Sequence, residues 1–392
     1  MSGYLFTFSD ENALFEAMRK GRYATLMKAK WGAAHLPTLG DYMTMRPGDR
    51  VYFFSKRMVY GIGEIVALAP GSVVIENRDG VTRRGTLGIA EPDESLVLDD
   101  PVPPAKEDDR RAYRWVVAFQ ASPFMFSRGI DMDDLLASNR SAFRSLRVFE
   151  KRSFIELDDE EEVAFRTALL RKNIDVLKNP SAGGTLEHED ISEHARILRI
   201  LQSSDRRLRA GELVATYRKR NGALSSEAAL EIALIRQLWV DKDQATAAVF
   251  GDWDYISHQV AASPAKSIQY MDRMDVFGYR WLDPNDRIIE KYFVVELKKD
   301  TVRGDDLQQL MKYVDWVKEE YANGDYSLIS AFLVGHGIDE ASVGAVLPTA
   351  ERYSLAGYRP PVPCRWLDVT LLRYSADSNG YVSFSEARIT NS

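Results

Sequence analysis

Cysteine is all but missing from this chain of 392 residues: Cys364 stands alone, which excludes an internal disulfide and any zinc site built on a CxxC pair. Histidine is scarce as well, with five scattered copies and none in an HxxxH or HExxH spacing that one helix could turn toward a metal. No apolar run approaches the roughly 18 to 20 residues needed to cross a bilayer, and the start MSGYLFTFSDEN lacks a basic segment followed by an apolar block. A cytoplasmic protein without membrane contact is the expectation. Positive charge is in short supply too. With 51 Lys and Arg against 58 Asp and Glu, the net charge is −7, too acidic for a protein that coats nucleic acid indiscriminately.

What is present is an ordinary folded composition, 45% apolar and 11% aromatic, in a chain long enough for two domains. Charge is unevenly spread. Between Glu193 and Arg220, eight Lys and Arg stand against three acids, a local +5, whereas Glu156 to Glu162 is almost wholly acidic. The basic stretch suits either a DNA-contacting face or a solvated helix. Residues 92–111, with four prolines, read as an exposed loop, and Asn179-Pro180-Ser181-Ala182-Gly183-Gly184 reads as a domain break. The expected organisation is a first domain over 1–178, a helical basic connector over 179–224 and a second domain over 225–392.

Short runs rich in Val, Ile, Tyr and Phe at 4–8, 50–55, 61–68, 72–76 and 113–119 predict strands in the first domain, with helices near 10–20, 131–146 and 158–173. This is an α+β domain around a small, barrel-like sheet. Beyond the break the pattern is helical to about 240, then strand, strand, helix, strand over 266–334, an α/β core.

The segment Ile288 to Lys298, IIEKYFVVELK, has the β-branched and aromatic content of a central strand. Period-two alternation places Tyr292, Val294, Glu296 and Lys298 on one face. A carboxylate and an ammonium at the end of a buried strand are costly unless they pair or bind something. Upstream, Ser267 to Gly278 reads as a second strand, and Asp283-Pro284-Asn285-Asp286 as the turn of a hairpin that brings Asp275 toward Glu296. Two carboxylates, Asp275 and Glu296, suit Mg²⁺ or Mn²⁺, and Lys298 would orient water or offset charge on a phosphate. A structural Glu296–Lys298 ion pair, and Asp275 as a turn cap, are the plainer alternatives.

Taken in order, Glu231 in SEAALEIALIRQLW, Arg273-Met274-Asp275, Glu296-Leu297-Lys298 and Gln309-Leu310-Met311-Lys312-Tyr313 resemble the PD-(D/E)XK, or restriction-endonuclease-like, nuclease superfamily over about 110 residues. The RxD, ELK and QLxxY pieces are similar to its archaeal and actinobacterial mismatch-endonuclease branch and to related restriction enzymes. The resemblance implies that Glu231, Asp275, Glu296, Lys298 and Gln309 converge on one or two Mg²⁺ ions. Met274 stands where the superfamily has proline, so Asp272 and Asp275 both remain candidates for the strand aspartate.

Residues 1 to about 165 resemble the PUA-like group with its EVE and YTH domains, through Tyr4-Leu-Phe-Thr-Phe-Ser9, Trp31, Arg46-Pro-Gly-Asp-Arg-Val-Tyr-Phe-Phe-Ser55, Gly61-Ile-Gly-Glu-Ile65 and Arg114-Trp-Val-Val-Ala118. That resemblance implies an aromatic pocket for a flipped base, with Trp31, Phe54 and Trp115 as walls and Ser55 as a polar contact; plain core packing is the alternative for each. Together the two halves imply a modification-dependent restriction endonuclease on double-stranded DNA, working as a homodimer so that both strands are cut. A repair or mismatch endonuclease, and a non-catalytic nucleic-acid-binding module with a vestigial core, are the alternatives.

Overall fold

The computed structural model describes residues 2–27, 36–68, 73–77, 113–145, 154–179, 188–202, 210–262, 272–285, 287–356 and 359–387. Contacts divide it into two compact units, Met1–Thr38 with Met45–Arg209, and Leu39–Thr44 with Ala210–Ser392. Among the described residues no helix is long and apolar enough to cross a membrane.

The first unit runs β1 (Gly3–Thr7), α1 (Glu11–Lys20), β2 (Arg22–Met27), then α2 (Leu36–Thr44), whose last six residues belong to the second unit. It continues through β3 (Arg50–Ser55), β4 (Met58–Ile65), β5 (Val73–Asn77), β6 (Tyr113–Asp131), α3 (Met132–Ser138), β7 (Phe154–Leu157), α4 (Asp159–Lys172), α5 (Ile174–Lys178) and α6 (His188–Leu201). Seven strands form one sheet ordered β2-β6-β4-β3-β1-β7, with β5 also paired to β6. Strands β2 and β7 stand at opposite ends of that path, and the sheet is a curled half-barrel, an open form of the barrel-like sheet expected. In the acidic run at 156–162, Glu156 and Leu157 belong to β7 and the rest is a helix start: Asp158 accepts from the Glu160 and Glu161 N–H groups and Glu161 completes a capping box.

The helices of the 179–224 stretch are shared between the units. Ile197 and Leu201 of α6 are buried with Leu68, Val116 and Ala118 of the first unit, whereas α7 (Ala210–Thr216) packs on α8 (Glu227–Ile235) of the second. The candidate exposed loop at 92–111 and arginines 206, 207 and 209 of the basic stretch lie outside the described residues.

The second unit continues with α9 (Gln244–Phe250), β8 (Tyr255–Ala261), β9 (Arg273–Asp283), β10 (Ile288–Val302), α10 (Gly304–Glu320), β11 (Ile329–Ile338), α11 (Glu340–Val346), β12 (Arg352–Ala356), β13 (Val362–Trp366), β14 (Val369–Ala376) and β15 (Val382–Glu386). Its main sheet is ordered β15-β14-β11-β10-β9-β8, and β12 pairs β13 as a separate hairpin. Strands β9 and β10 pair antiparallel across the expected hairpin, with Ile288 opposite Asp283. β10 and β11 are parallel and joined by α10, whose Leu307, Leu310, Val314 and Val317 stripe is buried in a cluster with Tyr292 and Val294. The opposite face of β10 carries Phe293, stacked on Trp253 with ring centroids 4.3 Å apart. The strand is therefore covered on both faces, as its near-continuous apolar sequence requires.

Candidate active site

Glu296 and Lys298 leave β10 on one face, and the Lys298 Nζ donates to Glu296 Oε1 at 2.5 Å. Just beyond Lys298 the β10–β11 register shifts, an irregularity that re-aims side chains at a strand end. Asp275 sits on the adjacent β9 and is tied to β10 directly: its Oδ2 accepts from the Leu297 N–H at 2.7 Å. That bond ties the Asp275 carboxylate to β10 at the residue next to Glu296, whereas Asp272 lies just before β9. Lys298 Nζ also lies 3.8 Å from Asp306 Oδ1, while Asp306 Oδ2 accepts from the Arg303 N–H at 2.7 Å at the head of α10.

Burial makes these charges expensive. Glu296 is 1% exposed, and burial, outweighing the attraction of Lys298, pushes its carboxyl up to about 7. Asp275 is raised well above the usual carboxylate range, first by burial and then by the negative charges of Glu296 and Glu231. Burial works against the Lys298 ammonium, yet Glu296 and then Asp275 hold its pKa above the ordinary lysine value. Only one oxygen of Glu296 is satisfied. Its Oε2 is buried with no hydrogen-bond partner among the described residues.

Glu231, on α8, is buried and not at a solvated helix edge. Its Oε1 meets the Nδ1 of His258, and its Oε2 accepts from Gln259 Nε2 at 3.0 Å. The same Gln259 nitrogen donates to Asp275 Oδ1 at 3.2 Å, so the two amide hydrogens bridge two carboxylates. His258 Nε2 lies 2.7 Å from Asp41 Oδ1 on α2. Gln309 donates to the Tyr313 hydroxyl at 2.7 Å, one turn along α10, and Tyr313 is raised by burial and then by Glu296.

His258, Gln259 and Asp41 did not emerge from the sequence. Strand β8 is short and interrupted by the polar His258-Gln259 pair, and Asp41 lies far upstream, where no spacing rule connects it. The one available signal is a histidine two residues beyond the apolar Tyr255-Ile256 pair.

Burial alone favours the neutral ring, but Asp41 and then Glu231 outweigh it and hold His258 up to about 10, against an ordinary 6.5. The folded protein thus keeps a proton that the unfolded chain releases across pH 6.5 to about 10. The stabilisation from this cluster is complete below pH 6.5 and is lost as pH rises through about 10. The gap in melting temperature between the wild type and His258→Gln is expected to narrow over that interval. A gap that widens with pH rules out a cationic ring.

In the first unit, three of the four candidate pocket residues are described. Trp31 lies outside the described residues. Trp115, in β6 opposite Thr25 and Ile75, is 1% exposed and so has no face open for stacking a base. Phe54 packs half-buried against a cluster containing Leu5, Tyr52 and Phe165, and Ser55 is buried beside it, its Oγ without a partner among the described residues.

No family model matches the chain. No curated protein matches it either. Among solved structures, the chain is similar to the crystal structure of a repair endonuclease from Pyrococcus abyssi, at 22% identity over 32% of this chain and 44% of that one, with a TM-score of 0.21. The chain thus spans less than half the length of that protein.

Proposed function

We propose that the second unit is a metal-dependent phosphodiesterase that cuts DNA, with Asp275, Glu296 and Lys298 at its centre. The observation that carries this reading is the bare oxygen of Glu296. A purely structural ion pair would satisfy both carboxylate oxygens, because leaving one buried and unpaired costs about 1–3 kcal/mol. A buried acid with one oxygen held by a lysine and the other open, next to a second buried acid, suits a ligand set awaiting a cation.

Among the described residues no group of three or more Asp, Glu, His or Cys side chains forms a ready-made cation cage. Mg²⁺ does not require one; it commonly binds through one or two carboxylates with water and substrate phosphate filling the rest. Asp275 and Glu296 would hold Mg²⁺ or Mn²⁺ here. When bound, the ion supplies positive charge for the phosphate and acidifies water. Lys298 presents an ammonium at the exposed edge of the pair, where it orients a nucleophile and offsets developing negative charge. Glu231 acts through Gln259 on the orientation of Asp275, and the Gln309–Tyr313 pair lines the same side through α10.

The finer reading is a restriction-type enzyme, dimeric so that two centres cut two strands, whose first unit selects modified bases. What supports it is the presence of another compact unit with its own sheet and core. One cleavage panel tests both levels: plain, cytosine-methylated, cytosine-hydroxymethylated and mismatched duplexes, with Mg²⁺, Mn²⁺ or EDTA. Cleavage that needs a metal and prefers a modified duplex is the expected result. Preference for mismatches transfers the protein to repair, and binding without any cleavage replaces the enzyme with a binding module.

A further inference from the structure

We propose that His258 is a positioning residue, clamped between Asp41 and Glu231, that fixes the Asp275 carboxylate through the amide of Gln259. The inference deepens the nuclease reading and rests on it. The chain of contacts is continuous: Asp41 Oδ1 lies 2.7 Å from His258 Nε2, His258 Nδ1 meets Glu231 Oε1, and Gln259 Nε2 donates to Glu231 Oε2 at 3.0 Å and to Asp275 Oδ1 at 3.2 Å. Leu297 N–H holds the remaining Asp275 oxygen, so both its oxygens are fixed and the plane of the carboxylate is set.

The logic lies in the amide. A glutamine side chain has a donor end and an acceptor end of nearly equal shape. Two carboxylates facing it admit only the donor end, provided that both accept. The His258 side chain, 1% exposed, meets carboxylates on both ring nitrogens and fixes where the Glu231 carboxylate stands. Without that ring, Glu231 can swing away from Gln259, the amide can turn over, and its oxygen then faces Asp275. The backbone is committed to the same end. Gln259 has φ of 51°, a left-handed value that a non-glycine residue adopts at a cost, and the β8–β9 ladder pairs His258 with Val276 and Val260 with Met274, skipping Gln259 and Asp275. Helix α2 reaches the ring because Gly40 has no side chain: a Cβ there would lie 2.6 Å from His258 Cε1. The Trp239 Nε1 donates to Thr44 O at 2.8 Å and holds the end of the same helix.

The test uses the full chain with His258→Gln, Gln259→Ala and the pair, each checked for folding by circular dichroism and melting. Two readouts are taken: Mn²⁺ binding by electron paramagnetic resonance, and kcat and KM on supercoiled plasmid. Each single variant is expected to weaken Mn²⁺ binding or lower kcat by about 10- to 100-fold, as losing an outer-shell partner of a ligand does, with KM changed less than about twofold. The double variant is expected to be no worse than the worse single one, because both break one relay. Wild-type Mn²⁺ binding and kcat in folded variants, or losses that multiply, overturn the relay. Should His258→Gln fail to fold, Gln259→Ala with Asp41→Asn carries the same comparison. Absence of both Mn²⁺ binding and cleavage in the wild type overturns the nuclease reading itself, and the relay with it.

Discussion

Glu296→Gln is expected to abolish metal-dependent DNA cleavage, by at least about 10²–10³-fold, while raising the melting temperature of the protein in EDTA. The two effects have one cause. The native carboxylate is buried, only one of its oxygens is paired, and burial lifts it to about 7. Folding therefore favours its protonated form: between pH 4.5 and about 7 the folded protein holds a proton that the unfolded chain releases, and stability from this group falls as pH rises through that window. A neutral amide of the same shape escapes the loss. The advantage of the variant should grow from pH 4.5 to about 7 and then level off. Lys298 is not stranded by the change, since its side chain is 21% exposed and lies 3.8 Å from Asp306. Lys298→Ala is expected to lose cleavage comparably, by about 10²–10⁴-fold, yet without the gain in stability, because it leaves Glu296 with neither oxygen paired. Differential scanning fluorimetry across pH, with plasmid nicking, checks both variants. An active Glu296→Gln removes Glu296 from the reaction; an inactive variant that is less stable at every pH removes the link between buried charge and chemistry.

The largest purely structural effect is expected at Gly278. In β9 this glycine pairs with Phe293 of β10 and Ile256 of β8, so a neighbouring strand flanks it on each side within the sheet. A Cβ there would stand 2.2 Å from Phe293 Cε1 and 2.2 Å from the Tyr255 carbonyl oxygen. The ring has little room to retreat, being 0% exposed and stacked on Trp253, and the carbonyl is backbone. Gly278→Ala should cost about 3 kcal/mol, the upper end of ordinary overpacking. Phe293→Ala should cost about 3–5 kcal/mol through the opposite fault, an emptied core position. Combined, they should cost less than their sum, because removing the ring relieves half of the clash and leaves only Tyr255. Urea unfolding followed by tryptophan fluorescence gives the three values. Full additivity would mean that Gly278 and Phe293 do not face each other.

Much of strand β10 was legible because its information is local. β-branched and aromatic residues over 288–298 make a strand, alternation places Glu296 with Lys298, and a turn sequence four residues long folds Asp275 back toward them. Those features need only the pleat and a hairpin. The charge on Glu231 could be read as out of place in an apolar helix, but whether that helix edge met solvent could not. Position in the fold decided the rest. The cationic form of His258 is favoured because α2 carries Asp41 to one side of its ring and α8 carries Glu231 to the other, contacts between segments far apart in the chain. Trp115 became core because β2 and β5 both pair with its part of β6, and a tryptophan in a strand has the same sequence signature whether it faces a ligand or the interior. Alternation along each strand and helix sets which residues can share a face. Which of them lose water and which lose a partner follows from packing between distant segments, because desolvation depends on what covers a face, and the covering elements come from elsewhere in the chain.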